Sequence, residues 1–106
     1  MAGGAAAAAF QTRIVTGRVL IRSAAERNLD EAGKWYDEQR PGLRDEFLVS
    51  IAEAFTRLEQ EPGRYRVLYK DIRRILIERF PYRIFYQIKG NNVIVLHHAR
   101  DYTSQL

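Results

Sequence analysis

The apolar residues of this chain change period partway along it, and that change constrains the order of its structure. Phe47, Ile51, Ala54, Phe55 and Leu58 recur at the three- and four-residue steps that lay one stripe along a helix. From Ile72 the repeat is two. Ile72 to Phe80 (IRRILIERF), Tyr82 to Ile88 (YRIFYQI) and Val93 to His98 (VIVLHH) read as three strands. Pro81 separates the first two, and Lys89-Gly90-Asn91-Asn92 supplies a hairpin turn, because Gly and Asn tolerate positive φ.

Upstream, Arg18 to Arg22 (RVLIR) is a short apolar run suited to a strand. Ser23-Ala24-Ala25-Glu26 has the form of a capping box, with Ser23 as the cap of a helix. Ala25, Leu29, Ala32 and Tyr36 then form one helical face, with Trp35 beside it, and Pro41-Gly42 ends the helix. The second helix carries Asp45, Glu46, Glu53, Arg57 and Glu61 opposite its apolar stripe and stops at Pro62-Gly63. Two helices joined by a tight turn form an antiparallel hairpin. The expected architecture is α+β: an N-terminal strand, an antiparallel helix hairpin, then a three-stranded antiparallel meander.

At 106 residues, 46% of them hydrophobic and 28% charged, the chain has the composition of one globular domain. Met1 to Thr16 begins as low-complexity MAGGAAAAAF and reads as a leader or tag; the domain is placed at 17–106, although Thr12 to Val15 can extend the first strand. Ala5 to Phe10 is too short for a signal-peptide core or a membrane span, so a cytoplasmic location and no membrane contact are expected. There is no cysteine and there are two histidines, His97 and His98, which excludes thiolate chemistry and histidine-rich metal sites; no cofactor is expected. The net charge of +4 is unevenly spread. From Arg64 onward nine Lys/Arg face three Asp/Glu, whereas Ala24 to Pro62 holds ten acids and five bases. The basic half suits a polyanion or an acidic peptide, or is simply a solvated face.

Several segments resemble the RelE/ParE superfamily of bacterial toxins. Ala25 to Ala32 is similar to the "A-x-x-D-L-x-E-A" opening of its ParE branch, with Asn28 in place of the aspartate. Trp35-Tyr36 and Arg40-Pro41-Gly42-Leu43 resemble its helix-hairpin signature. Arg79-Phe80-Pro81-Tyr82-Arg83-Ile84-Phe85-Tyr86 is similar to "R-F-P-Y-R-I-x-Y", and Leu96 to Asp101 to "L-H-x-A-R-D". The resemblance spans Ala25 to Asp101 and implies the toxin of a type II toxin–antitoxin system, held in check by a cognate antitoxin.

The superfamily divides by target. ParE-like members are understood to inhibit DNA gyrase; RelE-like members cut messenger RNA on the ribosome, mainly with a cluster of Lys and Arg. The resemblance puts Arg83 on that branch's phosphate-stabilising arginine and Arg100 on its second arginine. Arg74 and Leu76 fall where the branch has two lysines. His97 or His98 can shuttle protons near neutrality, and His98 joins Arg74, Arg83 and Arg100 as the candidate catalytic set. A leucine is neither a base nor a charge stabiliser, and the branch's C-terminal tyrosine has no clear counterpart, although Tyr102 is near. The set is incomplete, which favours a binding toxin over a metal-free endoribonuclease.

Strand alternation puts Arg74, Leu76, Arg83, Phe85 and Gln87 on one face and Ile84, Tyr86 and Ile88 toward the helices. A register shift of one residue exchanges the two faces. With Arg73 and Arg100, the residues Arg74, Leu76, Arg83 and Phe85 are those expected to meet the antitoxin or the target. Trp35 and Tyr36 read as packing within the hairpin rather than as a platform for bases. One of His97 and His98 points inward as a structural residue, and Arg100 beside Asp101 reads as a local ion pair. Arg66, Tyr65 and Tyr69 lie in the connection before the sheet, where they contact a partner or close the fold.

Overall fold

The computed structural model describes residues 12–100, with side chains described for 17–97. The elements in order are β1 (Thr12–Thr16), β2 (Val19–Arg22), α1 (Ser23–Gln39), α2 (Leu43–Gln60), a 3-10 turn (Pro62–Arg64), β3 (Val67–Tyr69), β4 (Ile72–Leu76), β5 (Tyr82–Lys89) and β6 (Asn92–Arg100). One six-stranded sheet runs β1-β2-β6-β5-β4-β3. Every neighbouring pair is antiparallel except β2 with β6, where Val19, Leu20 and Ile21 lie beside Val93, Ile94 and Val95 in parallel. The expected meander is present as β4-β5-β6, and the sheet around it is mixed.

The helix hairpin covers one face of this sheet. Ala25, Leu29, Ala32 and Tyr36 of α1 and Phe47, Ile51, Ala54, Phe55 and Leu58 of α2 are buried, as their spacing requires. They meet Val19, Ile21, Ile75, Ile84, Tyr86, Val93 and Val95 from the strands. Burying apolar surface in this way supplies most of the drive to fold, at ~25 cal/mol per Å². An aromatic cluster closes one end. Tyr36 lies 5.0 Å from Phe47 and 4.9 Å from Phe80, and Phe47 lies 5.2 Å from Tyr82, centroid to centroid. Phe80 and Tyr82 are therefore core residues. Trp35, 39% exposed, packs edge-on against Tyr36 at 5.1 Å, in keeping with a packing role.

The turn between the helices works as its sequence suggests, with one addition. Gly42 sits at φ +89, and Asp37 Oδ1 accepts the amides of Gly42 (3.1 Å) and Arg44 (3.2 Å). A side chain from α1 thus satisfies amides at the start of α2 that the helix itself leaves without partners. The β5–β6 turn has Gly90 at φ +60, with Lys89 opposite Asn92.

Four expectations need correction. The capping residue before α1 is Arg22, in extended conformation, and Ser23 is already helical. The strand expected at Ile72 to Phe80 ends at Leu76. Pro81 has no N–H to give and disfavours helical backbone before it, so the chain turns ahead of it. Ile77 N–H donates to the Tyr82 carbonyl (2.9 Å), Tyr82 N–H to the Phe80 carbonyl (2.8 Å), and Arg79 takes φ +73. The segment read only as a connection contains strand β3, turned into β4 through Lys70 at φ +53. Finally, Thr12–Thr16 forms a hairpin with β2 rather than extending it.

A candidate partner-binding surface

The sheet face turned away from the helices gathers most of the residues singled out in the sequence. Along β5, Tyr82, Ile84 and Tyr86 are buried while Arg83, Phe85 and Gln87 are half-buried on the other side. The register is the one read from the sequence, and Phe85 is not core. On β4, Ile75 is buried, Arg74 is half-buried, and Leu76 is 54% exposed. Antiparallel pairing sets Arg74 opposite Phe85 and Leu76 opposite Arg83. Cross-strand partners lie within ~5 Å at Cβ, so two guanidinium-bearing residues alternate with two apolar ones on a single patch.

His97 belongs to the same face. It pairs with Phe85 across β5 and β6, and the rings stack at 4.6 Å with planes 24° apart. The register shift between Phe85 and Tyr86 permits this, since it leaves Leu96 as an extra residue in β6. Gln87 is held by Asp71, whose Oδ1 accepts its Nε2 at 2.9 Å.

Arg73 is not part of this patch. It sits opposite Tyr86 and donates through Nη1 to the carbonyls of Gly63 (3.1 Å) and Tyr65 (2.7 Å). Tyr86 Oη donates to the Pro62 carbonyl at 2.6 Å. Burial pushes the Tyr86 hydroxyl up to about 12, although the nearby Arg73 charge pulls it down. It is a neutral hydrogen-bond donor at physiological pH. Arg100 pairs with Tyr82 and His98 with Ile84 by backbone register; the side chains of both lie outside the described residues, as do Asp101 and Tyr102 entirely.

A second feature adjoins the patch. A cleft of about 560 Å³ opens where β4 leaves β3, lined by Arg57, Arg64, Arg66, Arg74, Leu76 and Glu78 among others. Arg57 reads from the sequence as the solvated face of α2, and Arg64 only adds to the basic count. Three separate stretches of chain supply these guanidiniums, and only the basic bias from Arg64 onward hints at their convergence. Among the described residues no three potential metal ligands converge. Nor is any described helix long and apolar enough to cross a membrane.

A helix hairpin packed on one face of a mixed sheet, with the other face left open and basic, defines a small α+β protein of the RelE/ParE type. The chain belongs to the ParE toxin family: the family model for the ParE toxin of the type II toxin–antitoxin system, parDE, matches residues 19–102. Its fold is similar to that of a solved structure described as the chromosomal ParDE TA system from P. aeruginosa. The TM-score is 0.64 at 24% identity, covering 72% of this chain and 86% of that one. No curated protein matches it in sequence. Membership makes the chain the toxin of a toxin–antitoxin pair, with an antitoxin as partner.

Proposed function

We propose that this toxin acts by binding DNA gyrase in the cytoplasm, without chemistry of its own, and that its antitoxin covers the open sheet face around Arg74, Leu76, Arg83 and Phe85. The observation that carries this reading is Leu76. It stands directly across from Arg83 and exposes more than half of its surface. Cleaving RNA without a metal needs groups that move protons and stabilise the phosphorane charge, and an isobutyl side chain does neither. An exposed apolar residue among arginines does suit an interface, where apolar anchors give affinity and the charges around them steer the encounter. Arg73 is left out of the contact set, because its guanidinium is tied to Gly63 and Tyr65.

Inducing the protein in cells tests the reading against its rival. The expected result is arrested growth and altered plasmid supercoiling, with no new messenger RNA ends by primer extension. New ends that vanish in an Arg83→Ala variant would replace it with ribosome-dependent RNA cleavage by Arg74, Arg83 and Arg100.

A further inference from the structure

The parts of the basic cleft are held in fixed relation by the fold. Tyr86 and Arg73 reach from the sheet to Pro62, Gly63 and Tyr65, which anchors the turn that carries Arg64. The Arg66 carbonyl accepts the Arg74 amide at 3.2 Å, tying that arginine to β4. Arg57 comes from the last turn of α2, which Phe55 and Leu58 seat in the core. Four guanidiniums thus line one cavity of about 560 Å³, and Glu78 is the one carboxylate among its described lining residues. Arg57 and Arg74 are half-buried, so solvent and salt screen them less than fully exposed side chains. Neither the gyrase reading nor the open-face patch uses Arg57, Arg64 or Arg66.

The geometry points to a small-molecule site in this cleft, for a ligand built on a chain of linked phosphates: a free inorganic polyphosphate or the phosphate tail of a nucleotide. Neither gyrase nor the antitoxin is needed for it. All four cations are arginines, and the guanidinium fork pairs bidentately with phosphate oxygens where a lysine offers only a point charge. One phosphate group occupies one or two such forks, so four call for an anion with several charges at short intervals. A cleft lined by one sign of charge also focuses the field on such an anion. The cavity falls within the ~300–1,000 Å³ of small-molecule sites. Half-buried Tyr65, packed on the core, and exposed Leu76 give it an apolar wall against which a base can lie. A polynucleotide would extend past the cleft onto Arg83 and Phe85 and leave a different footprint.

The test uses the full chain labelled with 15N, without antitoxin, and follows binding by calorimetry and amide chemical shifts. Tripolyphosphate should bind, shift the amides around Arg57, Arg64 and Arg66, and bind more weakly as salt is raised. Citrate, charged but without the phosphate geometry, should bind at least about tenfold more weakly. Arg57→Gln and Arg66→Gln should each lower tripolyphosphate affinity roughly tenfold, the effect of losing one charge-assisted hydrogen bond. Arg57→Lys keeps the charge, loses the fork and should fall between. Arg44→Gln, at the opposite end of α2, should bind as tightly as the original. Adenosine triphosphate distinguishes the two sources. Affinity about tenfold or more above that of tripolyphosphate, the gain from stacking one base, makes the nucleotide the ligand; a smaller gain makes it the inorganic chain. If a variant fails to fold, the shift map of the unmodified chain decides. Absent tripolyphosphate binding, binding that citrate matches, or shifts centred on Arg83 and Phe85 overturns the inference. So does a short oligothymidylate that binds more tightly than either phosphate probe.

Discussion

Arg73 and Tyr86 stand opposite each other across β4 and β5 and grip the same short segment, Tyr86 at Pro62 and Arg73 at Gly63 and Tyr65. The chain leaving α2 is thereby fixed to the sheet, and with it the arginines that line the cleft. Tyr86→Phe removes one buried hydrogen bond and should cost about 1–2 kcal/mol. For a domain of this size that is a fall of roughly 5–15 °C in melting temperature. The hydroxyl also gives the protein an alkaline limit. Its ionisation is raised in the folded state, from the ordinary 10.0 to about 12, so its contribution is complete below pH 10 and is lost as pH rises through about 12. Denaturant unfolding between pH 9 and 12.5 should show the original protein losing stability more steeply than Tyr86→Phe.

The open-face patch leads to an affinity prediction. Phe85→Ala and Leu76→Ala should each weaken antitoxin binding by about 10- to 100-fold, the range of apolar anchors at a buried interface. Leu76→Ala should leave the melting temperature nearly unchanged, because its side chain is already largely in water. Phe85→Ala also loses the His97 stack, worth about 1 kcal/mol of fold stability. Calorimetric titration alongside thermal melts separates the two quantities.

Charge and apolar contact should act on different rates. Arg74→Glu with Arg83→Glu should slow association with the antitoxin about tenfold or more at low salt and change dissociation less. Raising ionic strength should shrink the difference. Stopped-flow kinetics at two salt concentrations check this, and an unchanged on-rate at low salt would count against a steering role for these arginines.

How much of this was legible in the sequence depended on how local the signal was. The alternation from Tyr82 to Ile88, between Pro81 and Gly90, correctly separated Arg83 and Phe85 from Ile84 and Tyr86. The apolar stripe of α2 matched its buried apolar residues one by one and missed only buried Ser50, a polar residue that no apolar spacing marks. β3 left no such trace: Val67, Leu68 and Tyr69 are all exposed, so no alternation marks them. The parallel pairing of Val19 with Val93 joins distant segments, and neither carries a sign of its partner. The cleft was hidden for the same reason, since Arg57, Arg64 and Arg74 meet only after folding. Arg73 and Arg74 look alike in sequence, and adjacent positions on a strand send one to the helix side and the other to the open face.

The turn before Pro81 allows a test of backbone strain. Arg79 holds φ +73, which is unfavourable for any residue with a Cβ. Its guanidinium meets Glu46 Oε1 at 2.8 Å, with Arg40 on the same carboxylate at 3.4 Å. Ion pairs this exposed contribute only ~0–1 kcal/mol. Arg79→Gly relieves the backbone while losing the pair and should change stability by less than about 1 kcal/mol. Arg79→Val keeps the strain, adds branching and should destabilise by about 2 kcal/mol or more. Equal losses in the two variants would show that the side chain, not the backbone, matters here.

The proposal that this ParE-family toxin disables gyrase by binding alone is open to a supercoiling assay with purified components. The toxin should block supercoiling of relaxed plasmid by gyrase in a dose-dependent way, and stoichiometric antitoxin should restore it. Unchanged supercoiling at large molar excess of folded, antitoxin-free toxin would contradict the claim.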